Sequence, residues 1–176
     1  MHHEPHAWYA LYTKSRCEKK VATLLARKQI ESYCPMNEVE SQWSDRKKIV
    51  QEPLFKSYVF VRIPERLINT VRQTEGVVNF VYWLGKPAVI TDHEVDMMKR
   101  FLDEFKTVQL EQFPIRRNEV TDVPALRQRR LVEVSKRKVK ATLHSLGFHM
   151  IATLPSAELA FSDSQMDVVD NLFSNS

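Results

Sequence analysis

The run Trp8-Tyr9-Ala10-Leu11-Tyr12-Thr13 is dense in aromatic and apolar side chains and predicts a strand. The period then lengthens to that of a helix. Cys17, Val21, Leu24 and Leu25 fall on one face as far as about Gln29, with Arg16, Lys19, Lys20, Thr23 and Arg27 on the other. Ser15 with Glu18 three residues later fits a capping box at its start. Glu31 to Pro35 predicts a second strand, and the polar, charged stretch Asn37 to Glu52 a long exposed hairpin or loop. Leu54 to Ile63 is the most strand-like stretch of the chain. Pro64 and Glu65 open a short helix through Val71, and Gly76 lets the chain turn into a strand from Val77 to Tyr82. Gly85-Lys86-Pro87 marks a turn before Ala88-Val89-Ile90. Thr91 or Asp92 can cap a third helix, on which Val95, Met98, Phe101, Leu102 and Phe105 keep a 3–4 spacing. Each element has one apolar side to bury. The economical packing is an antiparallel sheet backed by helices, an α+β fold.

The character of the chain changes after about Val108. Residues 116–140 hold nine Lys/Arg against three Asp/Glu and show no helical face. Arg130 to Val134, Val139 to Leu143 and Phe148 to Leu154 read as short strands of a small all-β module. The expected organisation is a first domain over 1–108, a linker over 109–118 and a β module with a polar tail over 119–176.

Composition narrows the functional classes. In 176 residues there are 26 Lys+Arg and 22 Asp+Glu, a net charge of +4 that leans mildly toward polyanions. Only three glycines are present, which argues against glycine-rich phosphate loops and the dinucleotide fingerprint. No apolar run is long enough to cross a bilayer, and the first residues lack the features of a signal peptide. With two cysteines and no disulfide framework, a cytoplasmic protein without a membrane partner is expected. The six histidines show no matched carboxylate or cysteine spacing, so neither a metal nor a cofactor is expected. No side chains are arranged as nucleophile, base and acid, and the expectation is that the chain is not an enzyme.

The segment Pro53-Leu54-Phe55-Lys56-Ser57-Tyr58-Val59-Phe60-Val61 carries the most information. Alternation places Tyr58 and Phe60 on one face and Val59 and Val61 on the other. Val59 and Val61 suit a core under helices. Tyr58 and Phe60, joined by Tyr12 and Phe80, then form either an exposed aromatic surface for a partner or a second core.

This segment, the Trp8–Lys14 strand with the helix after it, and Glu75-Gly76-Val77-Val78-Asn79-Phe80-Val81 together resemble the N-terminal (NGN) domain of NusG-type transcription elongation factors. The resemblance runs over about residues 7–106 and is nearest the specialised paralogues of the RfaH and UpxY type. It implies an NGN sheet with helices followed by a divergent SH3-like KOW barrel. It also implies docking of Tyr12, Tyr58, Phe60 and Phe80 on the clamp helices of the RNA polymerase β′ subunit, with Ile68-Asn69-Thr70 toward the β subunit. The expected outcome is processive elongation and antitermination at particular operons, such as those for surface polysaccharides. A housekeeping factor for pausing and termination, or a stand-alone RNA-binding, ribosome-associated module, are the rivals. The basic residues Lys14, Arg16, Lys20, Arg27 and Lys28 are implied to touch the non-template DNA of the transcription bubble, and Arg46, Lys47 and Lys48 to reach upstream DNA. One departure stands out: specialised paralogues favour a basic residue before the glycine, and this chain has Glu75. Nascent RNA, Rho or the ribosome are the partners implied for the second module; its basic run Arg127-Gln128-Arg129-Arg130 either touches RNA or only guards an edge strand against aggregation.

Overall fold

The computed structural model describes residues 4–113, 132–135 and 138–153. The chain divides into two compact units between Val95 and Asp96. The fold is mixed, with antiparallel sheets and few helices, as expected.

In the first unit, strand β1 (Ala7–Thr13) leads into helix α1 (Glu18–Arg27), followed by β2 (Glu31–Tyr33). A hairpin of β3 (Met36–Gln42) and β4 (Lys47–Pro53) precedes β5 (Tyr58–Ile63). A 3-10 turn over Glu65–Leu67 continues into α2 (Ile68–Arg72), and β6 (Val77–Phe80) follows. A small hairpin of β7 (Tyr82–Trp83) and β8 (Lys86–Pro87) turns through Leu84 and Gly85, both at positive φ, the geometry a two-residue hairpin loop requires. β9 (Val89–Ile90) leads to α3 (Asp92–Glu104), within which the boundary between the two units falls after Val95. The sheet runs β2-β5-β1-β6, with β9 also paired to β1, and all these pairs are antiparallel.

Tyr9 and Leu11 of β1, Val59, Val61 and Ile63 of β5, and Phe80 of β6 share one core cluster with Val21 and Leu25 of α1. The helix therefore lies on that face, and its Lys and Arg side chains stay outside. Two expectations about it need correction. The helix starts at Glu18 with Cys17 as its N-cap residue, and no side chain caps it, so Ser15 is not the cap. The Glu18 carboxylate instead accepts the backbone N–H of Ser57 at 2.6 Å. A buried carboxylate there does more by holding the turn into β5 than by folding back on its own helix. α3 behaves as expected: Thr91 and Glu94 exchange hydrogen bonds of 3.2 Å in a capping box, and Val95, Met98 and Phe101 are fully buried.

In the second unit, β10 (Gln109–Gln112), β11 (Val132–Ser135), β12 (Lys138–Leu143) and β13 (Phe148–Thr153) form an antiparallel sheet ordered β10-β13-β12-β11. Val139, Ala141, Leu143, Met150 and Ala152 supply its buried residues. Residues 109–112, expected as linker, are a strand paired along β13 from Gln109↔Ile151 to Gln112↔Phe148. Its polar composition hid it, because Leu110 is the only aliphatic side chain in the segment. Residues 114–118 of the expected linker, the Arg127–Arg130 run and the polar tail lie outside the described residues.

Candidate functional site

β1 and β5 are the two central strands, and their register sets Tyr12 directly opposite Tyr58. Both point away from the α1 face. Their ring centres are 4.9 Å apart, and the Tyr58 hydroxyl donates to the Tyr12 oxygen at 3.2 Å. Tyr12 is 39% exposed, the most exposed aromatic ring of the five-stranded sheet. Tyr58 is half-buried, and that burial, followed by its bond to Tyr12, pushes its phenol pKa upward. Tyr58 thus stays neutral, and the pair presents two amphipathic rings, which suits a surface with an apolar body and a polar rim.

Phe60 lies two residues beyond Tyr58 on the same face but is fully buried. Ala10 opposite leaves room for its ring, Phe55 meets it edge-on at 5.5 Å, and Tyr33 of β2 lies 6.5 Å away. Phe60 is therefore a floor beneath the tyrosines and not part of an exposed face. Phe55 and Tyr33 are members of this cluster that the sequence reading did not single out. Phe55 was legible in principle, since it stands inside the aromatic segment; Tyr33 was not, because its place depends on β2 pairing with β5 at Phe60.

Phe80 corrects the expectation more sharply. It pairs with Leu11, not Tyr12, and its ring packs edge-on against Tyr9 at 5.9 Å in the core under α1. Asn79 is the residue opposite Tyr12. A one-residue difference in register moves a side chain to the other face, and no local pattern reveals it.

The turn that feeds β5 is held tightly. Ser57 has a φ of 64°, its N–H goes to Glu18 and its carbonyl accepts from Thr13 N–H at 2.9 Å. These two bonds fix where Tyr58 starts relative to β1 and α1.

The basic residues occupy a strip from the end of β1 along α1. Lys14, Arg16 and Arg27 are exposed. Lys20 bonds the Glu75 carboxylate at 2.6 Å, and Lys28 donates to Thr74 Oγ1 at 2.9 Å. The Lys20 hydrogen bond and charge hold the Glu75 carboxyl below its usual range, with Lys14 adding a smaller share. Glu75 thus neutralises part of the strip. On α2, Asn69 and Thr70 are exposed and Ile68 is half-buried.

Among the described residues no group of three His, Cys, Asp or Glu side chains is placed to hold a metal, and no helix is long and apolar enough to cross a membrane. What the first unit offers is a rigid antiparallel sheet with a tyrosine pair on one face and a cationic strip beside it. That is the equipment of a macromolecule-binding domain. A family model described as "Transcription termination factor nusG" matches residues 6–99. Among solved structures, the one described as "Domain interaction in Thermotoga maritima NusG" is similar at 19% identity and a TM-score of 0.48, over 85% of this chain and 94% of that one. The chain belongs to the NusG family, and is a transcription factor of the NusG kind.

Proposed function

We propose that this protein docks on RNA polymerase through Tyr12 and Tyr58 and promotes processive elongation and antitermination at particular operons. The observation that carries the reading is the Tyr12–Tyr58 pair, held face-out over buried Phe60 on the two central strands. Interfaces draw much of their energy from a few rigid aromatic anchors. A pair of helices such as the β′ clamp would cover these rings, while the polar hydroxyls stay at the rim. A factor that binds the closed polymerase better than the open one suppresses pausing by that difference alone, with no bond made or broken. Lys14, Arg16 and Arg27 are the free cations for the non-template strand; Lys20 and Lys28 join them only by leaving Glu75 and Thr74. The second unit is read as the divergent KOW module that recruits further factors. Such a protein works in the cytoplasm.

The test is a polymerase pull-down with Tyr12→Ala and Tyr58→Ala combined. Each anchor is worth ~2 kcal/mol, so binding should fall by well over tenfold while the far-UV spectrum stays native. Phe60→Ala is a poor probe, because emptying a fully buried ring position costs about 3–5 kcal/mol of stability. Undiminished binding in the double tyrosine variant would sink the proposal. The Lys20–Glu75 pair favours a second reading, a housekeeping factor that recognises no particular DNA element. Genome-wide polymerase occupancy separates the two: a specialised factor appears on few transcription units and a housekeeping one on most.

A further inference from the structure

The β3–β4 hairpin forms its own two-stranded ribbon, fastened at its base by Leu54 N–H to Pro35 O at 2.8 Å and by Lys19 Nζ to Gln51 O at 2.9 Å. Its two faces differ. On one, Lys47 pairs with Glu40 at 2.8 Å and Gln51 donates to Glu38 at 3.2 Å, so the polar groups meet inside the ribbon. On the other, Lys48 sets its ammonium 5.6 Å from the centre of the Trp43 ring. Trp43 N–H donates to Arg46 O at 2.9 Å, a backbone bond that closes the loop and sets both residues at the tip. Neither Arg46 nor Lys48 forms an ion pair among the described residues. Trp43 is 54% exposed.

A large aromatic left in water at a tip whose cations Arg46 and Lys48 have no acidic partner among the described residues is a costly surface to keep for nothing. Cations alone would suit any phosphate backbone. The indole adds a flat face that only an unstacked base can use, since a duplex hides its base faces. The ribbon's other exposed apolar residue, Ile49, stands opposite Glu40 on the ion-paired face. Trp43 and Ile49 therefore do not merge into an apolar edge for a lipid surface. We propose that the tip of the β3–β4 hairpin binds single-stranded nucleic acid, with Trp43 stacking on one base and Arg46 and Lys48 meeting the flanking phosphates. This contact needs no polymerase and does not rest on the tyrosine pair.

The experiment uses the full chain and fluorescein-labelled unstructured 12-mers of RNA and DNA, with the matching duplex, followed by anisotropy across a salt series. The single strands should bind more tightly than the duplex, and binding by either the RNA or the DNA arm supports the proposal, their ratio naming the strand. Trp43→Ala should weaken single-strand binding roughly tenfold, with Trp43→Phe retaining most of the affinity. Arg46→Ala with Lys48→Ala should flatten the salt slope by about 1.4, at ~0.7 per single-strand phosphate contact. Unlabelled strands should quench tryptophan fluorescence, and most of the quench should be lost in Trp43→Phe, since Trp8 is buried and Trp83 is half-buried on a different hairpin. It should persist in Lys86→Ala, which removes an exposed cation from a different hairpin. The proposal is overturned if no single strand binds, if Trp43→Ala binds within twofold of the native chain, or if the duplex is preferred. It is equally overturned if the quench is lost in Lys86→Ala, or if phosphatidylglycerol vesicles bind the tip and the oligonucleotides do not.

Discussion

Gly76 has a φ of 89°, and a Cβ built on it would lie 2.9 Å from Cγ2 of Val21 and 3.4 Å from Cβ of Cys17. Its carbonyl also accepts Lys14 N–H at 2.8 Å, so the residue ties the end of β1 to the chain entering β6 beside the first turn of α1. A side chain there meets two penalties, a left-handed backbone and a stiff β-branched neighbour already packed in the core. Gly76→Ala should cost about 2–3 kcal/mol, visible as a lowered urea midpoint with little change in slope. Ser57 stands at a similar φ without glycine and is kept there by the bonds to Glu18 and Thr13. Positive φ is thus supported by neighbours at one position and by the residue type at the other. Only the second is readable in a sequence, as a glycine between a helix and a strand.

Helix α1 ends in a Schellman arrangement: Ile30 N–H reaches Leu25 O at 3.0 Å, Gln29 N–H reaches Ala26 O at 2.9 Å, and Gln29 has a φ of 57°. Ile30 and Leu25 then meet in the core, which closes the motif with its usual apolar contact. Gln29→Gly removes the Cβ strain and should raise stability by about 1 kcal/mol in thermal or urea unfolding. The strand after this cap was legible because the apolar period breaks at Gln29. So were β1, the hairpin, β5, α3 and β12, each of which carries its own periodicity or turn residues. What stayed hidden depends on partners far along the chain. The side of the sheet taken by Phe80 follows from pairing with Leu11. The burial of Phe60 follows from Phe55 and Tyr33 closing around it. The strand at Gln109–Gln112 exists because β13 offers it a ladder, and its own residues show little strand pattern. The tyrosine pair was half visible: alternation put Tyr58 on a face that could be exposed or a second core, with Tyr12 expected to join it, and register fixed the two directly opposite each other.

The net charge of +4 is modest, yet among the described residues several cations outside ion pairs, Lys14, Arg16, Arg27, Arg46 and Lys48, fall on α1 and its approach or on the hairpin tip. Two kinds of binding energy are therefore separable by salt. Covering rings releases few counterions, whereas each phosphate met by a cation releases some. Binding to core polymerase should depend weakly on ionic strength, and binding to an elongation complex with an open bubble should depend more steeply. Tyr12→Ala with Tyr58→Ala should lower both affinities by a common factor and leave both slopes in place. Lys14→Ala with Arg27→Ala should leave core polymerase binding intact and flatten the elongation-complex slope by about 1.4 if both meet single-strand phosphates. Glu75→Gln should act oppositely, steepening that slope by releasing Lys20, with little effect on stability because the pair is exposed on both sides. The measurement is log affinity against log salt for the native chain and three variants on the two polymerase forms. Equal slopes on both forms would show that the cationic strip faces solvent alone and that the rings carry the whole interaction.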